Sequence, residues 1–214
     1  MDLTFFLSLS TKLKENQLPG SHAHSLLAPP DRMKQLKSNL LSKSIPKKAA
    51  VLLVFYPSSQ GELHFVLTRR RVYKGVHSGQ ISFPGGKPEP LDDDLWSTAL
   101  RETQEEVGIP ADQVNYLRSL TELYVPPSNF MIVPYVGYIE KPCVFKPDLK
   151  EVDAILEISF TDFMDNIPIL TKQHTSSAVS VDVPAYVFDQ NEVWGATAMI
   201  LSEFKMLFSS VHPK

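Results

Sequence analysis

The sequence predicts an α/β fold, an α/β/α sandwich on a mixed β-sheet, and three observations carry that reading. Ala49 to Tyr56 (AAVLLVFY) is a continuous apolar run, the pattern of a strand covered on both faces. Leu95 to Val107 and Val193 to Phe208 are helical segments, each with a one-sided apolar stripe that needs a surface to pack on. Strand-like segments lie between them, so the two helices are expected on opposite faces of one sheet.

At 214 residues and 43% hydrophobic content the chain is long enough for one well-packed domain, and the expected division is a helical extension over 1–45 and a main domain over 46–214. The net charge of -3 gives no general attraction to nucleic acid or to an anionic membrane. The single cysteine, Cys143, excludes an internal disulfide and a Cys-based zinc site and fits a reducing compartment. It is read as a small buried or half-buried apolar residue. The opening MDLTFFLSLSTKLKEN has an apolar patch but lacks the basic start and cleavage site of a secretory leader. No apolar run approaches the roughly 20 residues of a membrane span, so a soluble, cytoplasmic protein is expected.

Taken in order, Asp2 to Gln17 reads as a short amphipathic helix and Leu18 to Pro30 as an irregular connector, in which His22 and His24 are read as solvated. A helix from about Asp31 to Ser42 follows, with Asp31 as its cap, and Pro46 ends the extension. After the apolar strand, Pro57 to Gly61 makes a turn and Glu62 to Arg69 returns as the second strand of a hairpin. Arg69 and Arg71 then fall on one side and Arg70 on the other, and at least one of them can meet a substrate phosphate through its bidentate fork. Val72 to Gln80 is a loop whose His77 stays outside the candidate catalytic set. In Pro84-Gly85-Gly86 the glycines permit a close approach of backbone amides to an anion.

The helix at Leu95 to Val107 carries a stripe of Trp96, Leu100, Thr103 and Val107 and stops at Gly108, with Pro110 just beyond. Beyond it, Val114 to Tyr124 and Phe130 to Tyr138 read as strands around a proline-rich turn, and Ala154 to Ser159 as another. Glu151, Asp153 and Glu157 are acidic residues near that strand. Phe163 to Leu170 reads as a short helix broken by Pro168, Ser177 to Phe188 as two short strands around Pro184, and Val193 to Phe208 as the last helix.

The chemistry concentrates between Ser82 and Ile109. Glu102, Glu105 and Glu106 stand at i, i+3 and i+4, so three carboxylates share one turn of helix, and each like-charge pair costs a few tenths of a kcal/mol on a bare helix. A hard divalent cation removes that conflict. Oxygen-only ligands fit Mg²⁺ or Mn²⁺ rather than zinc. Arg101, four residues before Glu105, can orient that carboxylate. Carboxylate-bound metal, arginines and a glycine turn together suit hydrolysis of a phosphoanhydride.

This segment resembles the Nudix box, G-x5-E-x7-R-E-U-x-E-E-x-G-U with U aliphatic. Arg101 to Ile109 match its second half, with Thr103 in place of an aliphatic residue. Asp92 stands where Glu is usual, and the stretch on to Arg101 is one residue longer than the pattern. The preceding LTRRRVYKGVHSGQISFPGG, Leu67 to Gly86, is similar to the signature of the coenzyme A pyrophosphatase branch, L-L-T-x-R-(S/A)-x3-R-x3-G-x3-F-P-G-G. Leu67, Thr68, Arg70, Gly79 and Phe83 to Gly86 fit it, whereas Val66, Arg71 and Gly75 depart. The resemblance implies a Nudix fold and Mg²⁺- or Mn²⁺-dependent hydrolysis of the pyrophosphate of coenzyme A or its derivatives, giving 3',5'-ADP and (acyl-)4'-phosphopantetheine. By the same resemblance Glu102, Glu106 and Glu105 bind the metal. Glu105, Glu102 and Arg101 form the catalytic set, with Glu151 and Glu157 as further candidates for the general base. Arg69, Arg70, Gly85 and Gly86 are the candidate substrate-binding residues. The alternatives are a Nudix pyrophosphatase for another nucleoside diphosphate linked to X, such as ADP-ribose or NADH, and a non-catalytic nucleotide sensor. Family analogy allows a homodimer.

Overall fold

The computed structural model describes residues 1–32, 45–71, 79–174 and 180–213. The expected helix from Asp31 to Ser42 and the loop holding His77 therefore lie largely outside the described residues. Asp2 caps α1 (Leu3–Ser8) by accepting from the Phe5 backbone N–H at 2.8 Å. The chain continues as α2 (Ser10–Glu15), so the single expected helix is two short ones. The expected connector contains a third, α3 (Ser21–Leu26). Phe6, Leu13, Ala23 and Leu27 are buried, which explains why a sequence without strong helical periodicity is helical here: tertiary packing decides it.

β1 (Lys47–Pro57) is the centre of an eight-stranded mixed sheet. It pairs antiparallel with β2 (Leu63–Arg70) only next to their turn, from Phe55↔Phe65 to Pro57↔Leu63. Beyond that the two strands separate. The gap is filled by β3 (Ile81–Ser82) on β2 and β4 (Gly85–Gly86) on β1. α4 (Leu95–Val107) comes next and crosses one face of the sheet. β5 (Asn115–Ser119) and β6 (Leu123–Val125) both pair with β7 (Phe130–Tyr138), which runs parallel to β1 and makes the sheet mixed. β8 (Val152–Ser159) covers the other edge of β2.

The two faces of β1 feed two separate cores. Ala50, Leu52, Val54 and Tyr56 pack with Ala99 and Val107 of α4. Leu53 and Phe55 pack with Phe204 and Phe208 of the C-terminal helix, and with Phe6 of α1. A strand clad on both sides has no polar alternation to show, which is why AAVLLVFY reads as unbroken. The buried stripe of α4 is rotated toward Ala99, Thr103, Glu106 and Val107, with Trp96 and Leu100 half-exposed.

After β8, Ser159 caps α5 (Phe160–Asp165), which starts earlier than expected and ends ahead of Pro168. The rest of that segment becomes β9 (Ile169–His174), paired with β10 (Ser180–Phe188) in a small antiparallel sheet completed by β11 (Asn191–Trp194). β10 is one strand through Pro184, not two. At Pro184 the ladder is paired to β9 alone, since pairing to β11 begins at Ala185, so a residue without an N–H is tolerated there. Val193 belongs to β11, and the turn at Gly195 (φ 63) starts α6 (Gly195–Val211). Among the described residues no helix is long and apolar enough to cross a membrane.

His24 corrects the expectation of a solvated loop histidine: it is 5% exposed and its Nε2 lies 3.0 Å from Glu203 Oε2 on α6. Glu203, wholly buried, also accepts from Gly20 N (3.1 Å), Thr121 N (3.2 Å) and Thr121 Oγ1 (2.5 Å). A buried carboxylate needs such a full set of donors. One side chain thereby ties α3, the β5–β6 connection and α6 together. His22 is exposed, as expected.

Candidate active site

The acidic face of α4 lies beneath the Gly85-Gly86 turn, and the contact explains both glycines. A Cβ on Gly85 (φ 151) would sit 2.3 Å from the Ala50 carbonyl oxygen and 2.6 Å from Val51 Cα, so the pairing of β4 with β1 admits no side chain. A Cβ on Gly86 would sit 2.2 Å from Glu102 Oε1 and 2.4 Å from its Cδ, so here the space is taken by a carboxylate. The turn thus lies tight against β1 at Gly85 and against the Glu102 carboxylate at Gly86.

Arg101 organises the acidic residues around itself. Its Nε and Nη2 donate to Asp92 Oδ1 (2.9 Å) and Oδ2 (3.1 Å), a bidentate pair, and Nη1 donates to Glu105 Oε2 (3.0 Å). Nη2 also reaches Glu102 Oε1 (3.2 Å) and the Lys87 carbonyl (2.9 Å). Asp92 is fixed in turn by Thr98 Oγ1 (2.9 Å) and the Glu89 N–H (2.8 Å). Those bonds, the arginine pair first, hold its carboxyl well below the usual carboxylate range. Asp92, left unassigned by sequence reading because the longer loop blurs its register, is the anchor of Arg101.

Glu106 is different in kind. It is 4% exposed, its Oε2 has no hydrogen-bond partner among the described residues, and Arg70 stands by it with Nη1 4.0 Å from Oε1. Burial pushes its carboxyl up from 4.5 to about 8, assisted by Glu102 and Glu151 and opposed by Arg70 and the Gly85 N–H. Glu102 is raised as well, by burial first. An orphaned buried carboxylate oxygen beside two further carboxylates is a donor set that a hard cation completes. Among the described residues no three His, Cys, Asp or Glu side chains already converge as a ligand set, because Glu102 and Glu105 are turned toward Arg101.

The arginines at the end of β2 separate as period-2 alternation requires. Arg70 faces Glu106. Arg69 lies on the opposite side, bonded to Asn191 Oδ1 and 3.6 Å from Asp153, and so bridges the two sheets. Arg71 donates to the Leu149 carbonyl at 2.9 Å. Of the acidic residues around β8, Glu151 acts electrostatically on both Glu102 and Glu106. Glu157 instead accepts from the Tyr56 hydroxyl at 2.9 Å. Cys143 is half-buried, and its thiol is pushed up to about 11 by burial and by Glu157.

On the side of the sheet facing α6, a cavity of about 500 Å³ opens against the same turn. Arg70, Gly85, Gly86 and Lys87 line it, together with apolar residues of β1, β10 and the start of α6. Ser82 also lines it, and the Ser82 hydroxyl is buried without a hydrogen-bond partner. Sequence reading had no signal for Ser82, since a serine in a two-residue strand looks like any turn residue.

The family model for the NUDIX domain matches residues 46–175, more than half of the chain. "Nudix hydrolase 22, chloroplastic" of Arabidopsis thaliana is 32% identical over 162 residues, 73% of this chain and 53% of that protein. "Uncharacterized Nudix hydrolase NudL" of Yersinia pestis (strain Pestoides F) is 33% identical over 159 residues, 72% of this chain and 76% of that protein. The chain therefore spans about half the length of the plant relative and about three quarters of the bacterial one. Among solved structures, the Nudix hydrolase RenU from M. smegmatis aligns with a TM-score of 0.46 at 19% identity, over 56% of this chain and 74% of that one. With the box residues gathered under a Gly-Gly turn and a family match over residues 46–175, this chain belongs to the Nudix hydrolase family.

Proposed function

We propose that this chain hydrolyses the pyrophosphate linkage of coenzyme A or its derivatives, using Mg²⁺ or Mn²⁺ held by Glu106, Glu102 and Glu105. The observation that carries the hydrolytic reading is Glu106: a buried carboxylate with an unpartnered oxygen, set between Arg70 and the glycine turn at the edge of a cavity. A bound divalent cation supplies charge neutralisation for the two phosphates and activation of the attacking water. The chain's own residues do the rest. Arg70 places a guanidinium beside the acidic site and the cavity, where it can take a phosphate oxygen through two N–H groups. Backbone amides of the Gly85-Gly86 turn approach the same anion closely. Arg101, fixed by Asp92, holds the carboxylates of Glu105 and Glu102 beside it on the acidic face of α4. Glu105, the most exposed of the three glutamates, is the first candidate to accept the water's proton, followed by Glu151.

Coenzyme A as the substrate rests on the similarity of Leu67 to Gly86 to that branch and on a cavity whose apolar walls suit a long, mostly uncharged arm. Another nucleoside diphosphate linked to X is the rival, and a non-catalytic sensor is the rival of another class. A sensor has no use for a carboxylate held orphaned at a metal position. Mass spectrometry of the products from coenzyme A, ADP-ribose and NADH in ¹⁸O water separates them. Formation of 3',5'-ADP and 4'-phosphopantetheine is expected. A clear preference for ADP-ribose or NADH would overturn the coenzyme A assignment. Glu106→Gln is expected to lower metal-dependent turnover by about a hundredfold or more.

A further inference from the structure

Residues 1–32 lie outside the matched Nudix segment, yet they complete its cavity. Pro29, Asp31 and Arg32 form part of the wall that also holds Arg70, Gly85 and Gly86. We infer that Arg32 is a specificity-determining residue, binding a second anionic group of the substrate, a phosphomonoester carried on the nucleotide ribose. The inference rests on the reading of this site as a nucleoside-diphosphate hydrolase, but not on coenzyme A in particular.

Three features single out Arg32. Its guanidinium donates from Nη2 to the Tyr124 carbonyl on β6 at 2.8 Å, and among the described residues no carboxylate forms an ion pair with it. Burial lowers its pKa. A partly buried cation resting on a neutral acceptor keeps donors for an anion and gains more from one than a surface arginine would. Secondly, it is held in place: its own N–H donates to the Pro29 carbonyl (3.0 Å), and the segment before it is stitched to α6 through Gly20 and His24 on Glu203. A preorganised cation discriminates better than a floppy one. Thirdly, Arg32 sits at a different place from Arg70. Arg70 stands at the end of β2, whereas Arg32, from the segment after α3, rests on the Tyr124 carbonyl of β6, on the far side of β1 and β7 in the sheet. The cavity wall thus carries Arg32 on the β6 side as well as Arg70 and Lys87, with apolar residues among them.

The test uses the full-length protein and ligands that differ by one phosphate. Calorimetric binding of adenosine 3',5'-bisphosphate and adenosine 5'-monophosphate reads the subsite directly. Turnover of coenzyme A against dephospho-coenzyme A, and of NADPH against NADH, reads it in catalysis. Wild type is expected to favour the phosphorylated member by about tenfold, the size of one charge-assisted contact. Arg32→Ala should bring the ratio to near unity, and Arg32→Lys should keep part of it. A purely structural role would weaken both members of a pair alike and leave the ratio intact. An unchanged ratio in Arg32→Ala, or no preference in wild type, overturns the inference. A binding preference that Arg32→Ala erases, in a protein that turns over none of these substrates, sustains the subsite and overturns the hydrolase reading instead.

Discussion

Glu106→Gln separates stability from activity. Without metal, the Glu106 carboxyl titrates near 8 in the folded chain against 4.5 for an ordinary glutamate. Between those values the folded state binds a proton that the unfolded state has released, so metal-free stability falls as pH rises from 4.5 to about 8. At pH 7 the cost is on the order of 3 kcal/mol, from ~2.5 pH units at 1.36 kcal/mol each. Glutamine has nearly the same volume and cannot ionise. Its amide enters a site where one oxygen is already without a partner, which offsets the gain by about 1–2 kcal/mol. The remaining 1–2 kcal/mol corresponds to a melting temperature roughly 3–6 °C higher for a chain of this size.

The assay is thermal unfolding in EDTA at pH 6 and pH 8, repeated with excess Mg²⁺ or Mn²⁺. Wild type should melt lower at pH 8 than at pH 6 in EDTA and be raised by metal. The variant should lose most of that pH dependence, exceed wild type at pH 8 in EDTA, and gain little from metal. A variant less stable than wild type at pH 8 in EDTA, or equally stabilised by metal, would refute the reading of Glu106 as a charge held unpaired for a cation.

Four other perturbations test the surroundings of the site and the core. Gly85→Ala places a methyl against β1 backbone, at 2.3 Å from an oxygen, and should cost several kcal/mol in denaturant unfolding, roughly 3 or more. Gly86→Ala meets only the movable end of Glu102, so it should fold with a smaller loss of stability while activity drops by about tenfold or more. Asp92→Asn removes the anionic half of the bidentate pair on Arg101, and kcat should fall by about tenfold or more while KM changes little, read by steady-state kinetics. The Glu203 carboxyl is buried, but its bonds from His24 and Thr121 outweigh that and hold it below its ordinary value. Its contribution is therefore present above about pH 4.5 and lost as pH falls through the lower folded value. Glu203→Ala should destabilise by about 3 kcal/mol or more at pH 7 and flatten the acid limb of the stability profile.

What was legible in the sequence is what depends on near neighbours. The acidic helix announces itself because Glu102, Glu105, Glu106 and Gly108 sit within one segment, where helical period and the glycine stop fix their relations. The hairpin of β1 and β2 needs only a short turn between them. By contrast, His24 meets Glu203 across 179 residues, and nothing local distinguishes a buried histidine from a solvated one. The same holds for β9, where ILTKQH becomes a strand because β10 pairs with it, not because of its own pattern. Arg69 and Arg70 are a case between the two. Alternation shows that they diverge, but not which of them faces the carboxylates; that depends on how β8 and β11 approach from either side.

The division of labour between the two faces of β1 connects these points to function. One face rests on α4, which brings a charged surface that is electrostatically strained without a ligand. The other rests on α6 and on helices α1–α3, of which α3 is joined to α6 through Glu203, and borders the cavity. β1 and β2 part beyond their turn, and the Gly85-Gly86 turn occupies that gap, where a Cβ would strike β1 or Glu102. Glycine at those two positions is therefore what lets the backbone of the turn lie between the cavity and the carboxylates with no side chain in the way. A side chain at Gly86 would meet Glu102 rather than β1, so it would disturb the acidic site while leaving the backbone of β1 in place.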